Sequence, residues 1–260
     1  MKALILAAGQ GSRLQPLTND RPKCLVELLG RSILARQADT FADCSIHDVA
    51  VVGGYEVEQI RESGFCCFEN KRFRSTNMVE SLFSAREYIS GSEDLLISYG
   101  DIVFESDNLR RLMAADADIC LMVDVNWREY WSKRMTDPLR DAETLKFKRD
   151  DYIKEVGKKP KSYKEIEAQY TGLIKVRSDV LNAFCEFYDE LDRSGIYDGQ
   201  SFENMYMTSF LQLLIDADWP VHGVRVHGGW LEIDTISDLA LYERLAKTRE
   251  LDAFCKLEQY

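Results

Sequence analysis

The chain has 260 residues, 45% of them hydrophobic, with 33 basic and 44 acidic side chains and a net charge of −11. A chain of that length buries roughly 70–75% of its unfolded surface, so a core needs neither disulfides nor metals, and one domain over 1–260 is expected. The acidic balance argues against a nucleic-acid partner, because that affinity comes mainly from Lys and Arg on phosphates; no apolar run nears the ~20 residues of a membrane span.

In chain order, the apolar start is too short for a signal peptide and meets glycine-rich and charged residues at once. It reads as a first strand, Lys2 to Leu6. Apolar runs at 48–52, 65–68, 94–98 and 119–125 alternate with helical patterns near 32–41, 56–63, 78–88 and 108–115. Ser32 and Asn77 are placed to cap two of these helices. The alternation predicts an α/β fold, a mixed, mostly parallel sheet flanked by helices. Ligands in such sheets sit beyond the carboxyl ends of the strands. That directs attention to 7–23, 53–55, 70–77 and 99–101.

Residues 126–170 differ in character. Between 124 and 165 there are 12 basic and 9 acidic side chains, interleaved with Trp127, Tyr130, Trp131, Tyr152 and Tyr163. Two readings stand: a solvated hairpin and loop, or a charged, substrate-covering lid inserted in the domain, its cations meeting an anionic ligand. Helical patterns return at 178–193 and 203–216. Strands at 221–226 and Trp230–Ile233 and a helix from about 236 close the chain. The seven cysteines are odd in number and scattered through apolar segments, which predicts buried free thiols and a cytoplasmic protein. The three histidines are too far apart for a metal site, and no Ser or Cys has an evident His partner.

The most informative segment runs Leu6-Ala7-Ala8-Gly9-Gln10-Gly11-Ser12-Arg13-Leu14-Gln15-Pro16-Leu17-Thr18 and on to Pro22-Lys23. Two glycines just past a strand let backbone N–H groups approach an anion. A Rossmann fingerprint needs glycine at Leu14, and a P-loop needs Gly-Lys-Ser/Thr; both are missing. Arg13 can instead grip phosphate oxygens as a fork, and Lys23 adds a point charge. Asp101 follows an apolar strand on a Tyr-Gly-Asp turn. Glu232 and Asp234 alternate on a late strand and would share one face. Few, hard carboxylate oxygens of this kind suit Mg²⁺ beside phosphates.

Leu-Ala-Ala-Gly-x-Gly-x-Arg-Leu-x-Pro-Leu-Thr-x-x-x-Pro-Lys resembles the signature of nucleotidyltransferases that join an NTP to a phosphorylated metabolite. The resemblance implies a Rossmann-like nucleotidyltransferase fold. It implies nucleotide contacts from Leu6, Ala8, Gly9, Gly11, Ser12, Arg13 and Lys23, with Arg13, Lys23 and Asp101 catalytic. Asp101 and Asp234 would hold Mg²⁺, with Glu232 in support. Asn70-x(6)-Asn77-x(3)-Ser81-Leu82, Gly54-Tyr55 and Glu232-Ile-Asp234-Thr-x-x-Asp238 resemble the cytidylyltransferase branch, which implies CTP, its base read near Tyr55, Asn77 and Ser81. Glu155-Val-Gly-Lys158-Lys159-Pro160 resembles the Glu-Lys-Pro element of the sugar branch, so a sugar-1-phosphate nucleotidylyltransferase using UTP or dTTP stays open. So does a non-catalytic nucleotide-binding regulatory protein.

Phosphocholine, aminoethylphosphonate and phosphoglutamine are the acceptor types considered. Trp127, Tyr130, Trp131, Tyr170 and Trp230 could box a quaternary ammonium. Arg128, Lys133, Arg134, Lys158 and Lys159 would favour a more anionic acceptor. The expected acceptor residues are Trp127, Arg128, Lys158, Tyr170 and Glu203. Homo-oligomerisation is left open.

Overall fold

The computed structural model describes residues 1–257. Its centre is a seven-stranded sheet built from β1 (Lys2–Ala7), β2 (Val49–Gly53), β3 (Cys66–Glu69), β4 (Leu95–Tyr99), β6 (Ile119–Asp124), β9 (Gln169–Val176) and β10 (Val221–Val226). The spatial order is β10-β6-β9-β4-β1-β2-β3. All neighbours are parallel except β9, which runs antiparallel to both β4 and β6. The mixed, mostly parallel α/β fold is the one expected.

Every residue of β1 is buried, which is why it reads as an unbroken apolar run and not as an alternation. Its successive side chains enter different cores: Ala3, Ile5 and Ala7 pack on one face of the sheet, Leu4 and Leu6 on the other. Each Leu or Ile buried in this way contributes about 1.5–3 kcal/mol. The first face is covered by α1 (Ile33–Asp43), α5 (Ser106–Ala114) and α9 (Ile236–Lys247). The second is covered by α3 (Met78–Ser84), the single turn α4 (Arg86–Ile89), α7 (Leu181–Glu190) and α8 (Met207–Asp216). Helix α2 (Val57–Glu62) links β2 to β3. Ser32 caps α1 by accepting from the Ala35 N–H, and Asn77 caps α3 by accepting from Met78 N–H.

Two features depart from the sequence reading. Strand β9 was not foreseen, because its first residues fall at the end of the charged stretch. The chain there is also irregular: the register against β6 shifts between Tyr170 and Ile174, and Gly172 has φ +93°. The stretch from 126 contains the hairpin that one of the two readings expected, but an unforeseen helix comes first. It begins with α6 (Trp127–Arg134), packed against α9, and continues as the hairpin β7 (Leu145–Phe147) and β8 (Ile153–Val156). The hairpin docks on α8 through Val156 N–H to Gln212 Oε1, 2.8 Å. Outside the main sheet, β5 (Ile102–Phe104) pairs antiparallel with β11 (Trp230–Glu232). No helix among the described residues is long and apolar enough to cross a membrane.

Candidate active site

The loop after β1 is fixed from both sides. Tyr55 N–H donates to the Ala8 carbonyl (3.1 Å) and its hydroxyl to the Asn19 carbonyl (2.5 Å). The buried Thr18 hydroxyl donates to Gly11 O at 2.8 Å. Gly11 adopts φ +69°, and a Cβ there would lie 2.9 Å from Lys23 Cβ. Glycine is therefore required twice over, by its backbone conformation and by the lysine stem lying across it. Gly11→Ala should cost about 1–2 kcal/mol of stability and push Lys23 out of line. A thermal melt read together with nucleotide titration checks this; an unchanged nucleotide affinity would contradict it.

Two crossings bring the acids together. Gly100 passes close over β1, its N–H donating to Leu6 O at 2.9 Å, where a Cβ would come within 2.7 Å of that oxygen. Asp101 follows. The pairing of β5 with β11 continues into Ile233 N–H to Asp101 O, 2.8 Å, and so delivers Asp234 beside it. Lys23 Nζ lies between the two carboxylates, 2.7 Å from Asp101 Oδ2 and 2.9 Å from Asp234 Oδ1. Arg13 pairs with the other oxygen of Asp234. Burial alone would lower the Lys23 pKa; the charges of Asp101 and Asp234 outweigh it and hold the ammonium above its ordinary value. These side chains border a cavity of about 260 Å³ with Leu6, Gly9, Ser12 and Met78. A larger groove of about 830 Å³, bounded by Thr40 and Asp43 of α1 and Arg110 of α5, contains none of them.

Asp101 Oδ1 is buried and has no hydrogen-bond partner. A buried carboxylate oxygen without a donor is costly, so a cation there would satisfy it. Asp101 and Asp234 thus fit a hard ion that takes few protein ligands, with water and phosphate completing its shell. Among the described residues no group of three or more His, Cys, Asp or Glu is placed to hold a metal alone.

Glu232 is engaged elsewhere. Its carboxylate meets Arg134 Nη1 at 2.6 Å, and Arg134 also binds Asp238 Oδ1 through Nε at 2.9 Å. Asp238 Oδ2 in turn accepts from the N–H groups of Asp234 (3.1 Å) and Thr235 (2.8 Å). The hydroxyl of Tyr130 receives Glu232 N–H at 2.8 Å, and Tyr242 donates to Glu232 O at 2.7 Å. At the other end of β11, buried Asp124 accepts from Gly228 N–H (3.0 Å) and Trp230 Nε1–H (3.0 Å). Strand β11, which leads into Asp234, is therefore clamped along its length by α6, α9 and the end of β6. Sequence reasoning missed this role of α6, although the spacing of Trp127, Tyr130, Trp131 and Arg134 is helical and could have signalled it.

The aromatic box expected around an acceptor is packed core. Trp127 is only 4% exposed, wedged edge-on to Trp131 and stacked on Tyr163, and Tyr130, Trp131 and Trp230 pack on one another. Of the expected basic patch, Arg134 is buried in the clamp, while Arg128 lies over the Tyr163 ring and Lys158 beside Glu155, both of them exposed. Glu203 pairs with Arg72, and its carbonyl receives Asn77 N–H. Ser81 is buried, its hydroxyl accepting from Asn70 Nδ2 at 2.9 Å. Tyr170 does lie near Asp101: its ring meets Tyr99 edge-on, and both tyrosines feel the charge of Asp101.

A glycine loop carrying Arg13 and Lys23, set against two aspartates across a strand end, defines a nucleotidyltransferase. The chain belongs to the MobA-like NTP transferase domain family, whose model matches residues 3–156. It is 44% identical over 250 residues to a CTP:phosphoglutamine cytidylyltransferase of Campylobacter jejuni, covering 92% of this chain and 98% of that one. A choline-phosphate cytidylyltransferase of Streptococcus pneumoniae is 32% identical over 96 residues, 35% of this chain and 42% of the other. Among solved structures, the inositol-1-phosphate CTP transferase from T. maritima superposes with a TM-score of 0.73 at 22% identity, covering 96% of both chains, and shares the fold.

Proposed function

We propose that this protein transfers CMP from CTP to a small phosphorylated acceptor of the phosphoglutamine type, releasing pyrophosphate. The observation that carries the reaction class is the convergence of Arg13, Lys23, Asp101 and Asp234 on one cavity. Likeness to the C. jejuni enzyme over nearly its whole length supports the choice of CTP and acceptor. The loop residues Leu6, Ala8, Gly9, Gly11 and Ser12 would wrap the nucleotide. Tyr55 and Ser81 act behind them, bracing the loop and the start of α3, while Asn77 and Met78 bound the base side.

Arg13 and Lys23 now rest on carboxylates, and both can exchange those partners for phosphate oxygens. Asp101 and Asp234 would hold Mg²⁺, which, when bound, neutralises phosphate charge and shields the attacking anion. The acceptor's phosphate oxygen attacks the α-phosphorus; a new P–O bond forms as the bond to pyrophosphate breaks. That oxygen is already anionic, so no protein base is needed. Positioning and charge neutralisation by Arg13 and Lys23 supply the protein's share of the barrier reduction.

Pyrophosphate release should be measured with each of four NTPs against phosphoglutamine, phosphocholine, aminoethylphosphonate and sugar 1-phosphates. CTP with phosphoglutamine is expected to lead by at least ~10-fold. UTP or dTTP with a sugar phosphate leading would move the protein to the sugar branch. Tight CTP binding with no turnover across the panel would make it a nucleotide-binding regulator.

A further inference from the structure

Helix α1 carries a polar residue within its apolar stripe. Ile33, Gln37 and Phe41 fall four residues apart on one face, and all three are buried, Gln37 to 1% exposure. A buried amide is costly unless both of its ends are paired, and in this chain both are. Gln37 Nε2 donates to the carbonyls of Tyr99 (2.8 Å) and Ile102 (2.7 Å), and Oε1 accepts from the buried Ser98 hydroxyl at 2.8 Å. Two carbonyls on one side and a hydroxyl on the other fix which way the amide faces.

Those two carbonyls bracket Gly100 and Asp101. The chain leaves the seven-stranded sheet at Tyr99 and enters its pairing with β11 at Ile102, so the two residues between lie outside both strands. Gln37 bridges that break. The same helix also holds the segment that follows Lys23: Ile33 N–H donates to Val26 O at 3.1 Å, and Arg36 Nη2 to Leu28 O at 2.7 Å. One helix thus grips the chain on both sides of the contact between Lys23 Nζ and Asp101 Oδ2. None of these ties uses the Asp101 carboxylate. One of its oxygens rests on Lys23, and the other, Oδ1, is buried without a donor.

We propose that Gln37 is a positioning residue for nucleotidyl transfer: it sets the Asp101 turn so that one carboxylate oxygen stays on Lys23 and the other is left for the metal ion. This rests on the reading of Asp101 as a metal ligand and adds how that ligand is aimed. Gln37 itself does not line the cavity, so it acts only through the turn. Ser98 stands one step further back, fixing the amide. Side chains that orient a metal ligand in this way typically matter by ~10–100-fold in metal affinity.

The test is the affinity for a non-reacting nucleotide, α,β-methylene-CTP, measured by calorimetry with Mn²⁺ and again with EDTA. In the parent protein Mn²⁺ should tighten binding by at least ~30-fold, and Asp101→Ala should remove most of that gain. Gln37→Leu keeps the bulk and deletes all three hydrogen bonds. It should cut the gain ~10-fold while leaving the metal-free affinity within about three-fold. In an Asp101→Ala background the same substitution should change the gain no further, although its effect on melting temperature persists. A folded Q37L protein with the parent's gain overturns the assignment. So does a loss that is equal with and without Mn²⁺, the mark of a merely structural role. If Q37L does not melt cooperatively, the near-isosteric Ser98→Ala decides: a gain ~3-fold smaller supports the assignment, and an unchanged one overturns it. A parent protein with no gain, or an Asp101→Ala protein that keeps it, instead defeats the metal reading itself and the positioning role with it. The two failures are thereby distinguished.

Discussion

An Asp101→Ala protein should lose about 10³-fold in pyrophosphate release while remaining folded. The carboxylate sits where the loop from β4 crosses β1, one oxygen on Lys23 and the other buried without a donor. Such an arrangement is poor for stability and suited to a ligand. Removing it leaves Lys23 its bond to Asp234, so the buried ammonium keeps one counter-charge. The stability loss should therefore stay near 1–2 kcal/mol, a fall of roughly 2–8 °C in melting temperature for a chain of this size. Activity and melting should be measured on the same preparation. A variant with undiminished Mg²⁺-dependent turnover would remove Asp101 from the reaction. One that fails to melt cooperatively would make its role structural.

The second large effect is expected away from the cavity. Arg134→Ala should cost about 3–5 kcal/mol of unfolding free energy, because it strands charges in the interior. The guanidinium is only 3% exposed and holds both Glu232 and Asp238. With it gone, Asp238 keeps its hydrogen bonds from Asp234, Thr235 and the α9 cap but loses its counter-ion. Arg134→Lys should recover part of the loss and not all, since an ammonium cannot reproduce the fork. Urea denaturation gives the number. A change below about 1 kcal/mol would mean that water or a shifted helix compensates. Because the same pair orients the backbone of Asp234, any folded variant should also bind nucleotide more weakly.

Much of this could be read from residues alone, and the pattern of success has a physical reason. Strands β1, β2, β4 and β6 are buried on both faces, so their apolar runs stand out from any context. The glycine loop is equally legible, because glycine, Arg13 and Lys23 are needed there for backbone and charge reasons that few other residues satisfy. The pairing of Asp101 with Asp234 came from the resemblance to nucleotidyltransferases, since nothing local joins two acids so far apart in sequence. What sequence could not give was the destination of long side chains. Arg134 looked like a cation for an anionic acceptor and is a buried tie; Trp127 looked like a ligand's neighbour and is core. Composition marks such residues as charged or aromatic, but which way they point is fixed by α6 packing on α9.

The clamp on β11 also bears on the order in which the protein becomes competent as it is made. The loop with Arg13 and Lys23, and then Asp101, emerge early, and residues 3–156 already carry enough to be recognised as the family. The second aspartate arrives only near position 234, and its placement waits on α9 closing over α6 through Tyr242 and Asp238. The sheet is equally incomplete until then, since β9 and β10 lie beyond residue 168. A nascent chain halted midway would display the phosphate loop with Lys23 held by a single acid. Competence is thus a property of the last quarter of the chain meeting the first, and ribosome-bound chains released in succession should acquire CTP protection in one late step.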